Sequence, residues 1–155
     1  MKFKDWDGNF VELPEGRNFS WRPSAYAAIV NDGKVFMIKA VQHGKWELPG
    51  GGIELSESII EGLKREVLEE SGYEIVVSEN DLIHFWEGYF YAKDIDKYFQ
   101  TIGMFFKVKL ASEFQDKSKI NFKDEVLDMK WIDLNDYEND DINPIIIPVL
   151  KILKS

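Results

Sequence analysis

Apolar and polar positions alternate along residues 2–13, KFKDWDGNFVEL, on either side of Asp7-Gly8, the strongest short signal for a β-hairpin. A connection through Pro14-Glu15-Gly16 follows. Ala25 to Val30 and Val35 to Val41 are apolar, strand-like runs, joined by Asn31-Asp32-Gly33, whose residues tolerate left-handed backbone. After Trp46, Glu47 and Leu48 the chain must bend at Pro49 and the glycines Gly50 to Gly52. The next pattern is helical. From about Glu57 to Ser71, Ile59, Ile60, Leu63 and Val67 form one apolar stripe, with Ser56 the expected N-cap and Gly72 the expected stop.

The rest of the chain returns to strand patterns. A strand is expected from Tyr73 to Val77. Asp81 to Tyr91 and Tyr98 to Leu110 are rich in aromatic and β-branched residues and predict a long hairpin across Lys93-Asp94-Ile95-Asp96-Lys97. Ser112 to Asp124 is polar and loop-like, Val126 to Ile132 is a further strand, and Asp133 to Asn143 is acidic and irregular. A C-terminal amphipathic helix is expected from Pro144 or Ile145 to Leu153, with Pro148 tolerated in its first turn. Strands outnumber helices, and the two helices lie far apart in sequence, which suits a mixed sheet covered by helices on its faces.

Composition narrows the class. At 155 residues, 45% hydrophobic and 14% aromatic, the chain is expected to be one globular domain with a proper core. It has no cysteine, which excludes disulfides, thiolate zinc sites and cysteine nucleophiles. A net charge of −9 argues against a nucleic-acid polymer as partner. The first ten residues contain no apolar stretch of signal-peptide length, and IIIPVLKIL is too short to span a bilayer, so no membrane association and a cytoplasmic location are expected.

The chemistry lies on the predicted helix. Projected at about 100° per residue, Glu66, Glu69 and Glu70 fall in one sector, beside the apolar stripe and above Gly62. Three like charges that close cost helix stability unless a cation neutralises them. Carboxylate oxygens near phosphates suit Mg²⁺, with Mn²⁺ as a substitute. A solvated acidic face is the bland alternative, and EVLEE alone would favour it.

Register decides against that alternative. Gly51, Glu57, Arg65-Glu66-Val67, Glu69-Glu70 and Gly72-Tyr73 stand at the spacing of the Nudix box, and the stretch from Leu48 to Tyr73 resembles the Nudix hydrolases. Tyr73 departs mildly from the pattern, which prefers an aliphatic residue there. The resemblance implies an α/β/α sandwich, here with an added N-terminal β-hairpin. It also implies metal-dependent hydrolysis of a nucleoside diphosphate linked to another group, by attack of a metal-activated water on phosphorus. By carry-over, Glu66, Glu69 and Glu70 are expected metal ligands, joined by a backbone carbonyl of Gly50 or Gly51. Glu66 and Glu69 also count as catalytic. Arg65 and Glu57 are expected to pair and orient the glycine loop against the helix. Glu125, on the loop before the strand of Trp131, is the leading general base, with Asp124 and Asp116 as neighbours that could serve instead.

The substrate is less legible. Tyr89 and Tyr91 lie at a distance from the box where a tyrosine goes with diadenosine polyphosphate hydrolysis in part of the family, which makes them candidate substrate residues. Arg22, Lys39, Lys45 and His43 are candidates to reach phosphates near the glycine loop. The partner is a small nucleotide-type molecule. A homodimer through the edges of the N-terminal or aromatic hairpin is a further expectation. The rival reading, a catalytically silent Nudix-like binding or regulatory domain, is disfavoured because every box glutamate is present.

Overall fold

The structure is a computed structural model that describes residues 1–121 and 124–155. Residues 122 and 123, in the predicted polar loop, lie outside the described residues. Among the described residues, ten strands form a single curled, mixed sheet: β1 (Lys2–Lys4), β2 (Phe10–Glu12), β3 (Ser20–Asn31), β4 (Lys34–Ala40), β5 (Trp46–Glu47), β6 (Gly50–Gly52), β7 (Ile75–Val76), β8 (Leu82–Ala92), β9 (Lys97–Leu110) and β10 (Val126–Asp133). Two α-helices complete it, α1 (Ile59–Ser71) and α2 (Ile147–Lys154). The strand order is β10-β4-β3-β9-β8-β1-β2, with β5 on β4, β6 on β3 and β7 on β9.

The turn between β3 and β4 follows from its residues. Val30 pairs with Val35 and Asn31 with Lys34, leaving Asp32 (φ 51°) and Gly33 (φ 70°) as a two-residue turn with both backbones left-handed. Beyond that end β3 and β4 part, and β5 and β6 fill the gap between them. Ala27 N–H donates to Pro49 O at 2.8 Å, which ties the corner between β5 and β6 to β3. The sheet is mixed because β3 runs parallel to β9, from the Ser20–Phe99 pair to the Ile29–Val108 pair.

Alternation along the strands builds two cores. On one face Ala25, Ala27, Ile29, Phe36, Ile38, Phe106 and Val108 pack with Leu63 and Val67 of α1. On the other, Ala28, Val35, Met37, Phe105 and Ile132 pack with Val149 and Leu150 of α2. The helices therefore cover opposite faces of the sheet, which is the α/β/α arrangement expected. Tyr73 is buried in the first core, with its ring edge-on to Phe36 and Trp131.

Several expectations need correction. Ser56 is not the N-cap of α1: it takes φ 74°, outside helix and cap geometry. The cap is Ser58, whose hydroxyl accepts from Glu61 N–H while the Glu61 carboxylate accepts from Ser58 N–H. Both serines are plausible caps by type, and the glutamate three residues on selects the second. Ile59, at the first helical position, is exposed, so the buried stripe is Ile60, Leu63 and Val67. The N-terminal hairpin closes through a five-residue turn in place of a two-residue one, from the Lys4–Phe10 pair, because the Asp5 carboxylate accepts from Asp7 and Asn9 N–H. On the aromatic hairpin, β3 flanks β9 along ten residue pairs, whereas β1 meets β8 at the single pair Lys4–Phe90. The last helix begins as a 3-10 turn, Pro144–Ile146, capped by the Asn143 side chain, before α2 proper.

Candidate active site

The glycine run is strand β6, which pairs with β3 through Gly52–Ser24, Gly51–Ala25 and Gly50–Tyr26. Each glycine has a steric reason. Gly50 takes φ 151°, and a Cβ there would stand 2.1 Å from Ala25 O. A Cβ on Gly51 would stand 2.7 Å from Glu66 Cδ, and one on Gly52 would stand 3.0 Å from Arg22 Nε. The loop thus lets the α1 carboxylates and one arginine approach its backbone.

Arg65 organises the junction. Its Nε donates to Glu57 Oε2 at 3.0 Å and Nη2 to Glu57 Oε1 at 2.7 Å, a two-point ion pair. Nη2 also donates to Gly52 O at 3.2 Å, while Nη1 reaches Glu66 at 3.0 Å and Glu69 at 3.3 Å. Glu57 further accepts from Glu54 N–H, and the Arg65 guanidinium holds its carboxyl below the usual range. Gly62 makes room for this pair: a Cβ there would lie 2.8 Å from Glu57 Oε1. The pairing expected of Arg65 and Glu57 is present, and it links loop to helix.

Glu70 is the most buried carboxylate of the helix, 6% exposed, and accepts Gly50 N–H at 2.7 Å. Burial pushes its pKa well up; the Gly50 hydrogen bond opposes this, and the charges of Glu47, Glu66 and Glu125 add to it. Burial raises Glu66 as well, against its Arg65 partner and reinforced by Glu69 and Glu125. The charge of Glu125, just before β10, thus reaches both groups, and its carbonyl accepts Val41 N–H. Asp124 and Glu125 are both exposed. Asp116 is elsewhere: its N–H donates to Gly72 O at the C-terminal end of α1, and its carboxylate accepts from Ser118.

Among the described residues, no three carboxylates converge as a ready ligand cage. Glu66 and Glu69 both accept from the Arg65 guanidinium. The donor set still fits a hard divalent cation. It is all oxygen, burial holds two of its members above their usual pKa, and an adjacent loop backbone approaches within a Cβ radius.

The candidate substrate residues divide. Arg22 lies against Gly52 with its guanidinium 5.3 Å above the Phe99 ring, so it flanks the glycine loop. Lys39 instead covers Trp46 at 5.9 Å, with Lys130 over the same ring at 4.5 Å. Tyr89 stands in the row of Gln100 and Trp21, beyond the Ala25 row where Gly51 pairs, and its ring packs on Phe3 and Phe19. Tyr91 stacks on Tyr98 and donates to Asp96 at 3.1 Å. The tyrosines serve the N-terminal end of the aromatic sheet and are not gathered to the glycine loop. Lys45 offers its backbone N–H to His43 Nδ1, and His43 is committed to Glu47 at 2.9 Å. Glu47 and its second partner Asn143 escaped notice in the sequence. A lone acid between buried Trp46 and Leu48 was the available signal.

A curled mixed sheet between two helices, with a glutamate-bearing helix locked by arginine to a glycine strand, defines a class that the comparisons make explicit. The profile of the NUDIX domain matches residues 21–151, and the chain belongs to that family. A MutT-like protein of Streptomyces ambofaciens is 42% identical over 55 residues, covering 36% of this chain and 36% of its own. The nucleoside triphosphatase NudI of Salmonella heidelberg is 41% identical, over 33% of this chain and 40% of its own. The chain thus spans well under half the length of these relatives. A MutT Nudix hydrolase structure from Burkholderia pseudomallei shares the fold, with TM-score 0.66 and 21% identity over 86% of this chain and 98% of its own.

Proposed function

We propose that the protein is a Mg²⁺-dependent pyrophosphohydrolase that cleaves a nucleoside diphosphate linked to another group. The observation that carries this reading is a pair of carboxylates, buried Glu70 and half-buried Glu66, set against the backbone of Gly50 and Gly51 with their charge only partly compensated. Such a pair is costly in the folded protein and is relieved by a cation. Glu66, Glu69 and Glu70, with a carbonyl of Gly50 or Gly51, would hold the metal. Bound there, Mg²⁺ would neutralise phosphate charge and make its water a stronger acid.

The chain's own residues supply the rest. Arg22 offers a guanidinium beside the glycine loop to a phosphate oxygen. Arg65 and Glu57 keep loop and helix in register, so the carboxylates stay where the reaction needs them. Glu125 takes the proton of the attacking water, because it is the loop acid whose charge reaches Glu66 and Glu70. Nucleoside triphosphates are the first substrates to try, in keeping with the name of the NudI relative. No helix of the described residues is long and apolar enough to cross a membrane. The test is release of nucleoside monophosphate from a panel of nucleoside triphosphates, dinucleoside polyphosphates and nucleotide sugars, with and without Mg²⁺. Hydrolysis only with Mg²⁺, slowed in Glu125→Gln with KM retained, is expected; binding without turnover would overturn the reading.

A further inference from the structure

The face of the sheet that carries α1 continues beyond the helix. The registers of β9 with β8 and with β3 set Phe85, Met104 and Ala25 in one row, Glu87, Ile102 and Pro23 in the next, and Tyr89, Gln100 and Trp21 in the third. Side chains alternate between the two faces along a strand, so these three rows share one face. It is the face of α1, because Ala25 lies in the core with Leu63 and Val67, and Met104 packs against that core.

Ala25 is buried, but large apolar side chains around it meet water. Trp21 and Phe85 are 58% and 56% exposed, and Tyr89 and its ring neighbour Phe19 are each more than a third exposed. Beside Phe85, a groove of about 240 Å³ extends the strip to the start of α1, lined chiefly by Ile59, Ile60, Leu82, Met104 and Phe106. Ile59 and Leu82 are themselves exposed.

The size of this surface matches a subunit contact. Four rings exposed to this degree leave roughly 300–450 Å² of aromatic surface in water, taking about 150–250 Å² for each whole ring. Leu82, Ile59, Ile102 and Pro23 add to it. That is enough for the apolar centre of a standard interface, which buries about 800 Å² on each partner and has a polar rim. Charge selects no unlike partner here: Glu87 is the only charged residue in the three rows, although the chain carries −9 overall. A flat, nearly neutral, aromatic face suits a second copy of itself.

We infer that this face is the interface of a homodimer, in which the aromatic rows of two copies pack sheet on sheet. The contact is made by the face of the β8–β9 hairpin and not by its edges, and it does not depend on the proposed nucleotide chemistry. A two-fold contact needs a self-complementary patch. A two-fold axis crossing β9 between Ile102 and Gln100 exchanges the second row with the third. It keeps the two α1 helices at opposite ends of the contact. It also sets each Glu87 beside the other copy's Tyr89, and each Pro23 beside the other copy's Trp21, so the two acids do not face one another.

The experiment is sedimentation velocity of the full chain over a range of concentrations. The wild type should sediment at twice the chain mass of 18.1 kDa. Trp21→Lys and Phe85→Lys put a charge at exposed positions of the face and should each weaken dimerisation about 30-fold or more. Phe10→Lys, at an exposed ring on β2 outside the three rows, should leave it within about twofold. A second measurement leaves the packing alone. Gln100→Cys, at an exposed polar position, supplies the single thiol of a chain without cysteine. A bismaleimide spanning about the 10 Å between packed sheets should join two copies through it, and not through Phe10→Cys. A monomeric wild type would leave the face to a different partner and overturn the inference. A dimer that survives both Trp21→Lys and Phe85→Lys, or equal cross-linking at the two positions, would overturn it as well.

Discussion

The backbone N–H of Gly50 donates to the carboxylate of Glu70 at 2.7 Å, across the gap between the glycine strand and the box helix. Burial nevertheless holds the Glu70 carboxyl well above its ordinary value of 4.5. With the folded pKa above the unfolded one, the folded state binds more protons, and metal-free stability falls as pH rises from the ordinary carboxylate range through the raised value. Glu70→Gln removes the charge while keeping an acceptor for Gly50. The metal-free variant is expected to melt higher than the wild type at neutral pH, by about 2–4 °C for each kcal/mol gained. Mg²⁺ should raise the melting temperature of the wild type and not that of the variant. Thermal melts at several pH values with and without Mg²⁺ check both signs.

Gly51 is required for space. Its added Cβ would stand 2.7 Å from Glu66 Cδ, so Gly51→Ala displaces that carboxylate. Turnover is expected to fall about 10- to 100-fold, as for an ångström-scale misplacement of a catalytic group. Circular dichroism should show the fold intact.

Arg65 acts through geometry as much as charge. Lysine cannot reproduce its two bonds to Glu57 together with those to Gly52 O, Glu66 and Glu69. Arg65→Lys is expected to cost about 1.5–3 kcal/mol of stability and most of the activity. Combined with Glu57→Gln it should show a coupling of about 0.5–3 kcal/mol in a double-mutant cycle of urea melts. Strict additivity would return the pair to an ordinary surface contact.

The start of the box helix separates two serines that sequence treats alike. Ser58→Ala breaks the capping box and should cost about 1 kcal/mol. Ser56→Gly relieves a left-handed residue at φ 74° and should stabilise by about 1 kcal/mol. Neither should change kcat, and equal losses from both would contradict the capping assignment.

The strands were legible as apolar or aromatic runs bounded by turn residues: β3, β9 and β10 contain the predicted runs, β4 and β8 contain theirs except for Val41 and Asp81, and the turn at Asp32-Gly33 uses the residues its geometry demands. The box was legible because its roles depend on local spacing along one helix. What could not be read depends on distant approach. Tyr89 and Tyr91 look like base shelves in sequence, but the N-terminal hairpin lays Phe3 against Tyr89, and Asp96 engages Tyr91. Glu47 looks like an ordinary acid until the corner between β5 and β6 brings it beside Glu70, His43 and Asn143. The convergence expected of Glu66, Glu69 and Glu70 is also incomplete, because Arg65 draws two of them aside.

The most direct test of the central claim is the Mg²⁺-dependent rate of nucleoside monophosphate release from nucleoside triphosphates, compared between the wild type and Glu66→Gln. The account predicts turnover by the wild type only with Mg²⁺ or Mn²⁺, and a loss of about 100-fold or more in the variant while its fold persists. Undiminished turnover in Glu66→Gln, or equal turnover after removal of divalent cations, would contradict it.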